Sequence, residues 1–179
     1  MGRDTGFGLW LTGLPAAGKT TLAEGLTEAL SDQGHQVQIL DSDALRSVLT
    51  PEPTYSAEER DWFYRVVAFI AGLLTENGTN VVIAATAHRR RYREYGRERI
   101  PRFAEIYVRC SVSVCIERDE KGTYEKAMTG EATTVPGLQV SYEPPESPAV
   151  VVDTELLSPE RGVERIMEQL EQISILSAG

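Results

Sequence analysis

Eight residues near the start of the chain, 13 to 20, combine glycine, lysine and threonine in an order that suits phosphate binding. They fit the pattern G-x-x-x-x-G-K-[ST], in which loop N–H groups and the N-terminus of the next helix face phosphate oxygens. Lys19 can reach the β- and γ-phosphates, and the Thr20 hydroxyl can ligate Mg²⁺. The alternative is a chance match in a glycine-rich turn. The predicted nucleotide-binding residues here are Gly13, Leu14, Pro15, Ala16, Ala17, Gly18, Lys19, Thr20 and Thr21.

Two carboxylates, Asp41 and Asp43, follow the second apolar run of the chain. Carboxylates at the C-terminal end of a strand in an open α/β sheet face the ligand crevice. There they can orient a magnesium-bound water or accept a proton from an attacking hydroxyl. Both also suit the first residues of a helix as N-caps, and the two roles are compatible. Their position after a strand favours a functional role.

The elements that must position these residues follow from hydrophobic periodicity. Five short apolar runs alternate with helical patterns, which predicts an α/β fold with a parallel five-stranded sheet and helices on both faces. A phosphate-binding loop after the first strand makes this the P-loop arrangement of small-molecule and nucleotide kinases. The predicted strands cover residues 7–11, 37–40, 81–85, 104–108 and 149–152.

A long helix is expected from a cap at Ser56 to about Asn77. Its apolar positions are so many that we expect a mostly buried helix. Arg60 and Arg65 near its start are either solvated or reach the crevice. The apolar positions are Trp62, Phe63, Val66, Val67, Phe69, Ile70, Leu73 and Leu74.

Two further segments stand out by composition. Residues 88 to 102 hold seven arginines, and such a run is usually a solvated helix face. His88 has no partner at metal-ligand spacing.

Residues 119 to 147 are polar and rich in glycine, proline and threonine. A loop of this length between the fourth and fifth strands of such a fold predicts a lid over the nucleotide. We expect one domain over residues 1–179, with no second domain and no repeats.

Composition limits the possible partners. The net charge of −9 and pI near 4.8 argue against a nucleic-acid-binding surface. No apolar run reaches the length of a membrane span and no signal-peptide pattern is present, so we expect a cytoplasmic protein. Cys110 and Cys115 are expected to be buried and reduced. The chain has only three lysines, which reflects either a genome-wide preference for arginine or positions that need an ammonium.

Three blocks of the chain resemble the adenylylsulfate (APS) kinase family, which makes 3′-phosphoadenylyl sulfate from APS and ATP. Residues 13–20, GLPAAGKT, are similar to the family's G-L-S-G-A-G-K-[ST], and residues 40–46, LDSDALR, to its L-D-G-D-N-x-R. Residues 118–127, RDEKGTYEKA, are similar to R-D-x-K-G-L-Y-x-K-A, the most specific of the three. The resemblance runs from Leu9 to Thr154.

The resemblance implies roles for matching residues. On the donor side, Lys121 and Lys126 would reach the phosphates from the lid, Arg118 would pack beside the ATP adenine, and Thr20 would ligate Mg²⁺. The expected catalytic residues are Lys19, Asp43 and Lys121, with Asp43 as base or positioner of the 3′-hydroxyl. The expected acceptor-binding residues are Asp41, Asp43, Arg46, Tyr55, Arg60, Arg65, Lys121 and Val135.

Four positions on the acceptor side depart from the family pattern. Ala44 and Phe63 replace asparagines, and Val135 replaces a lid phenylalanine that would stack on the APS adenine, leaving Tyr55 as the remaining aromatic. Residues 86–88, Thr-Ala-His, replace an I-S-P segment. Losing one face of an adenine sandwich weakens base binding, so we expect APS to bind less tightly than in relatives with both aromatics.

The resemblance therefore implies an ATP-dependent kinase that phosphorylates the 3′-hydroxyl of APS in sulfate assimilation. Its substrates would be ATP and adenylyl sulfate and its cofactor Mg²⁺, and the homodimer that is frequent in the family is the candidate assembly. Two alternatives stay open: a related kinase for another nucleotide-like or anionic acceptor, and a nucleotide-binding module without turnover.

Overall fold

A computed structural model describes residues 5–176 of the chain. Its centre is a sheet of five parallel strands in the order β2-β3-β1-β4-β5. The central strand β1 is buried along its whole length, because sheet and helices cover it on every side. The predicted sheet is thereby confirmed. The strands are β1 Phe7–Thr12, β2 Val37–Asp41, β3 Asn80–Ala84, β4 Arg102–Arg109 and β5 Val150–Asp153.

Helices cover both faces of the sheet and bury one hydrophobic cluster on each. The cluster under α1 and α7 includes Leu22, Leu26 and Ile166, and the cluster under α3 and α4 includes Phe63 and Tyr92. Burial of this apolar surface is the main stabilising contribution to such a fold. The helices are α1 Lys19–Asp32, α2 Ser42–Leu49, α3 Ala57–Glu76, α4 Arg90–Arg99, α5 Val112–Glu117, α6 Thr123–Met128 and α7 Pro159–Gln172.

Local signals in the sequence set the helix ends. The side chains of Ser56 and Ser158 accept hydrogen bonds from the third residue after them, as N-caps do, and Pro159 occupies the first turn of α7. Gly34 after α1 has φ = 86°, a left-handed conformation that glycine adopts without strain. No helix within residues 5–176 is long and apolar enough to cross a membrane.

The expectation of a mostly buried α3 was wrong for one of its faces. Trp62, Phe69 and Leu73 are 48%, 45% and 46% exposed, although Phe63 and Val67 on the opposite face are buried. The helix is apolar on nearly all sides, whereas the sheet and α4 cover only part of its circumference. Periodicity could not separate the two faces, because both carry large apolar residues.

The arginine-rich segment also differs in part from its predicted solvated face. Arg93 in α4 is buried and pairs with Glu105 of β4, which also binds Arg97 at 2.9 Å. Arg93 donates to the carbonyl of Ala87 at 2.5 Å and to that of Glu143 at 2.7 Å. This buried arginine therefore ties the loop after β3 to the far end of the segment predicted as a lid.

Candidate active site

A cleft of about 800 Å³ opens at the carboxyl ends of the parallel strands. The phosphate-binding loop, the start of α2, the start of α3, the loop after β3 and the segment after α5 all line it. This is where ligands bind in open α/β sheets. The predicted residues that line the cleft are Pro15, Ala16, Gly18, Lys19, Thr20, Thr21, Asp41, Asp43, Arg46, Tyr55, Arg60, Arg118, Lys121, Lys126 and Val135.

The phosphate-binding loop is shaped by left-handed backbone at Ala16 and Gly18, where φ is 60° and 98°. Gly18 is the N-cap of α1, so the positive end of that helix points into the cleft. Gly13, Leu14 and Ala17 do not line the cleft. A side chain at Gly13 would collide with the carbonyl oxygen of Val108, so this glycine allows the loop to lie against β4.

Lys19 donates hydrogen bonds to the carbonyls of its own loop, Gly13 at 3.1 Å and Leu14 at 2.7 Å. Burial lowers the pKa of its ammonium to about 8, against the opposing influence of Asp43 and Asp41. A phosphate group would supply the anion that the buried ammonium lacks.

The two predicted carboxylates lie at the same end of the cleft and have different partners. Asp41 is the N-cap of α2 and accepts from the backbone N–H groups of Asp43 and Ala44 at 2.8 and 3.2 Å. Its other oxygen accepts from the Thr20 hydroxyl at 3.1 Å. The capping role and the position beside the phosphate loop therefore hold together. Asp43 instead points to the segment after α5.

Lys121 reaches across the cleft and pairs with Asp43 at 2.6 Å. The hydrogen bond that Lys121 donates to Asp43 is the main cause of the raised pKa of Lys121. Both side chains are mostly exposed, so the pair contributes little to stability. Its significance is geometric, because it places two of the three predicted catalytic residues in contact.

Arg118 occupies the end of the cleft beyond the phosphate loop. It donates to the carbonyl of Thr154 at 2.9 Å and to its hydroxyl at 3.2 Å. The Thr154 hydroxyl in turn donates to the carbonyl of Ala17 at 2.9 Å. Leu157 and Pro159 line the same region and give it an apolar wall. Such a surface suits the base of a nucleotide, as expected for Arg118. The role of Thr154 here was not predicted from the sequence.

The part of the cleft lined by Arg46, Tyr55 and Arg60, called the acceptor half after the role expected for it, is built around Arg46. Its guanidinium lies 3.9 Å from the centre of the Phe63 ring and 5.0 Å from that of Tyr55, and it pairs with Glu59 at 3.0 Å. Tyr55 has φ = 54°, which is strained for a residue with a side chain. The strain marks the start of α3 as a site where backbone geometry is held by its surroundings.

Arg60 is buried in the same half and connects α3 with the predicted lid. It donates to the Thr134 carbonyl at 2.8 Å, and its other terminal nitrogen lies 3.5 Å from Nδ1 of His88. Burial, followed by the charge of Arg60, lowers the pKa of His88 to about 4. The ring is therefore neutral at physiological pH and can accept from Arg60. This contact of His88 could not be predicted from the sequence, where His88 stood out only by its departure from the family pattern.

The structure does not bring Arg65 to the cleft, contrary to expectation. Arg65 is exposed on α3, pairs with Asp61 at 2.9 Å and lies over the ring of Tyr95. Arg60 and Arg65 are five residues apart, which places them on different sides of a helix. Only Arg60 points into the cleft, and we remove Arg65 from the acceptor site.

Comparisons with known proteins identify the family of the chain. The sequence model of the adenylylsulphate kinase family matches residues 5–153. A probable adenylyl-sulfate kinase of Pyrococcus abyssi is 40% identical over 171 residues, which are 96% of this chain and 98% of the relative. The adenylyl-sulfate kinase of Rippkaea orientalis is 38% identical over 98% of this chain and 97% of its own.

A solved structure extends the likeness to three dimensions. The APS kinase CysC of Mycobacterium tuberculosis, in complex with AMPPNP and APS, superposes with a TM-score of 0.88 at 27% identity, covering 94% of this chain and 99% of that one. The fold, the cleft and the sequence motifs thus lead to one assignment: this chain belongs to the adenylylsulphate kinase family.

Proposed function

We propose that this protein transfers the γ-phosphoryl group of ATP to the 3′-hydroxyl of adenylyl sulfate. The observation that carries the proposal is the meeting of Lys19, Asp43 and Lys121 where the phosphate loop adjoins the arginine-containing half of the cleft. Donor and acceptor groups bound on the two sides would meet at these three residues. Family membership supports the same reaction.

On the donor side, the chain binds and orients the triphosphate. Backbone N–H groups of residues 13–20 and the N-terminus of α1 bind its oxygens. Lys19 leaves its loop carbonyls and stabilises the negative charge that develops on the transferring group. Lys126 lines the cleft from the lid side and Arg118 holds the base end.

The residues beside the loop also fit a magnesium ion. The Thr20 hydroxyl and the Asp41 carboxylate lie 3.1 Å apart, and hard oxygen donors of this kind, with phosphate oxygens, are what Mg²⁺ requires. Mg²⁺, when bound, neutralises charge on the β- and γ-phosphates. Thr20 and Asp41 are the residues that would hold it.

On the acceptor side, Asp43 orients the 3′-hydroxyl and takes its proton. The new bond joins the 3′-oxygen to the γ-phosphorus, the bond from that phosphorus to the β,γ-bridging oxygen breaks, and ADP leaves. Lys121 pairs with Asp43 and would exchange this partner for the phosphates of a bound nucleotide, which would free the Asp43 carboxylate for the hydroxyl.

Replacing Asp43 with asparagine tests its role. The amide cannot take the proton, so kcat should fall by about 10²-fold or more, the usual scale for a positioned general base. The dissociation constant of ATP, measured by calorimetry, should change much less. A collapse of ATP binding would show instead that Asp43 is a metal ligand or a structural residue.

A coupled assay of ADP release, with and without APS, separates the proposed function from its alternatives. We expect release that depends on APS and saturates with it. Turnover only with another nucleotide or phosphorylated sugar would identify a kinase with a different acceptor. ATP binding without turnover on any acceptor would identify a non-catalytic module.

We also propose a homodimer that forms through the exposed face of α3. Trp62, Phe69 and Leu73 recur at helical spacing and form an apolar stripe, and Val66 lies between them. An exposed stripe of large apolar residues is typical of a protein interface. Phe69→Glu should change the sedimentation coefficient from that of a dimer to that of a monomer. Glu76→Gln on the same helix is the control and should sediment like the wild type. Identical sedimentation of wild type and Phe69→Glu would reject this interface.

We propose that the protein works in the cytoplasm, where ATP is abundant and thiols stay reduced. Cys110 and Cys115 are both free and buried, in agreement with the expectation of reduced structural cysteines.

A further inference from the structure

Glu59, in the first turn of α3, contacts both sides of the acceptor half. One carboxylate oxygen accepts from Arg46 at 3.0 Å and from the backbone N–H of Tyr55 at 3.3 Å. The other accepts from the backbone N–H of Thr54 at 2.5 Å and from its hydroxyl at 2.7 Å. One side chain thus joins an arginine of α2 to the loop that carries Tyr55.

These contacts exceed what helix capping requires. Ser56 and Glu59 have the spacing of a capping box, and the N–H of Glu59 does donate to the Ser56 hydroxyl at 3.1 Å. In a capping box the glutamate would return to the N–H of Ser56. Here that N–H approaches the Thr54 hydroxyl instead, and the Glu59 carboxylate reaches the two residues before the cap. The carboxylate that would complete the capping box is therefore directed toward the cleft.

Glu59 contacts two groups whose conformation or environment is unfavourable without a partner. Tyr55 has a left-handed backbone, which persists only when the surroundings fix it, and its N–H is one of the Glu59 donors. Arg46 is nearly buried and packed face-on against Phe63, so its charge needs a nearby anion. Glu59 meets both needs with one carboxylate.

The ionisation of Glu59 is consistent with this arrangement. Burial acts to raise its pKa, but hydrogen bonds from Thr54 and Tyr55 and the charge of Arg46 together bring the pKa below its ordinary value. The carboxylate is therefore charged at neutral pH, as pairing with Arg46 requires.

We propose that Glu59 is a positioning residue for the acceptor, which fixes Arg46 and Tyr55 in the geometry that binds the anionic end and the adenine of adenylyl sulfate. The inference rests on the proposed function. Glu59 itself acts through these two side chains, so its loss should weaken acceptor binding and leave ATP binding unchanged.

The test compares Glu59→Gln with Glu58→Gln. Glu58 precedes it in the same turn, is exposed and shares the same helix terminus, but makes no contact with Arg46 or Tyr55 among the described residues. Glu59→Gln should raise KM for APS about tenfold, the scale of one lost charge-assisted hydrogen bond, with KM for ATP unchanged. Glu58→Gln should leave both KM values at the wild-type level.

Other outcomes would overturn the proposal. An APS KM equal in the two variants would do so, and so would an equal rise in the KM values for APS and ATP, since a purely structural role acts on the whole cleft. Glu59→Asp, which keeps the charge, should restore part of the APS affinity. No recovery at all would count against a role for the charge.

A second measurement separates this inference from the proposed function. Wild-type protein without APS turnover would reject the function. Hydrogen exchange at the amides of Thr54 and Tyr55 then decides the positioning role by itself. Exchange should be faster in Glu59→Gln than in Glu58→Gln, and equal exchange would overturn it.

Discussion

At the scale of single residues, three cations of the cleft have internal partners that a substrate group can replace. Lys19 binds two loop carbonyls, Lys121 binds Asp43, and Arg60 binds the carbonyl of Thr134. These partners hold the side chains near the positions where phosphate and sulfate oxygens would bind. Preorganised charges of this kind reduce the reorganisation needed during reaction.

The lowered pKa of Lys19 predicts how ATP affinity depends on pH. Its ammonium loses its proton near pH 8 in the free protein, and phosphate binds the charged form. The affinity for ATP should therefore be at its full value below pH 8 and fall as the pH rises above it. Calorimetric titration at pH 7 and pH 9 measures the difference.

Lys19→Arg is the matched control for this prediction. A guanidinium stays charged across the range, so this variant should bind ATP more weakly but with little change between the two pH values. An equal pH dependence in wild type and Lys19→Arg would show that Lys19 does not cause the effect.

The valine at position 135 leads us to expect weak binding of the acceptor. It lines the cleft from the lid, next to the Thr134 that Arg60 holds, and offers a methyl surface where an aromatic ring would stack on adenine. Val135→Phe should lower KM for APS by about tenfold, since one base-stacking contact contributes ~1–3 kcal/mol. KM for ATP should change less. A rise in KM for APS would indicate that the hydrophobic cluster in which Val135 is buried leaves no space for a ring.

At the scale of elements, the segment 119–147 contacts the rest of the chain at several points along its length. Tyr124 of α6 donates to the carbonyl of Pro15 at 3.1 Å, Arg60 binds Thr134, and Arg93 binds the carbonyl of Glu143. Most of its other residues are half-buried or exposed, and α6 is its one helix. A segment whose residues are mostly half-buried or exposed opens more readily than the core.

Hydrogen exchange tests whether this segment is a lid. Amides of residues 119–147 should exchange among the fastest of the described elements without ligand. An ATP analogue together with APS should slow them, because Lys121 and Lys126 then bind phosphates. Amides of β1, in the centre of the sheet, are the internal reference. Equal exchange with and without ligands would contradict a closing lid.

The elements differ in how well the sequence predicts them. Buried strands appear as continuous apolar runs, so the five strands and their alternation with helices were predicted. The same rule failed on α3, because a helix with apolar residues on two sides does not reveal which side the sheet covers. Arg93 was placed in a solvated run, since its buried partner Glu105 is distant in sequence and only the fold brings them together.

Prediction of the candidate site has the same limit, because contacts between residues that are distant in sequence appear only in the fold. Residues whose chemistry is local, such as Lys19 after its glycine loop or Asp41 at a strand end, are recognisable from spacing. Glu59 reads as a capping residue until the fold places Arg46 beside it. Arg65 was expected in the cleft from the family resemblance, and its exposed position on α3 could not be foreseen without knowing how that helix packs. The sequence therefore located the cleft residues of the phosphate loop better than those of α3.

At the scale of the whole molecule, the parallel sheet explains why the cleft has two halves. Strand β1 leads into the phosphate loop and β2 leads into Asp41 and Asp43, and β3 lies between these two strands. All three carboxyl ends open on the same edge. ATP on the loop and an anionic acceptor on the arginines of α2 and α3 would thus meet at Asp43.

The most direct measurement of this claim follows the phosphoryl group itself. The protein is incubated with Mg²⁺, APS and ATP labelled in the γ-phosphoryl group, and the product is identified by mass spectrometry and ³¹P NMR. We predict that the label appears as a monoester on the 3′-oxygen of adenylyl sulfate, in amounts equal to the ADP formed. Label recovered only as inorganic phosphate, or on another position of the acceptor, would contradict the account.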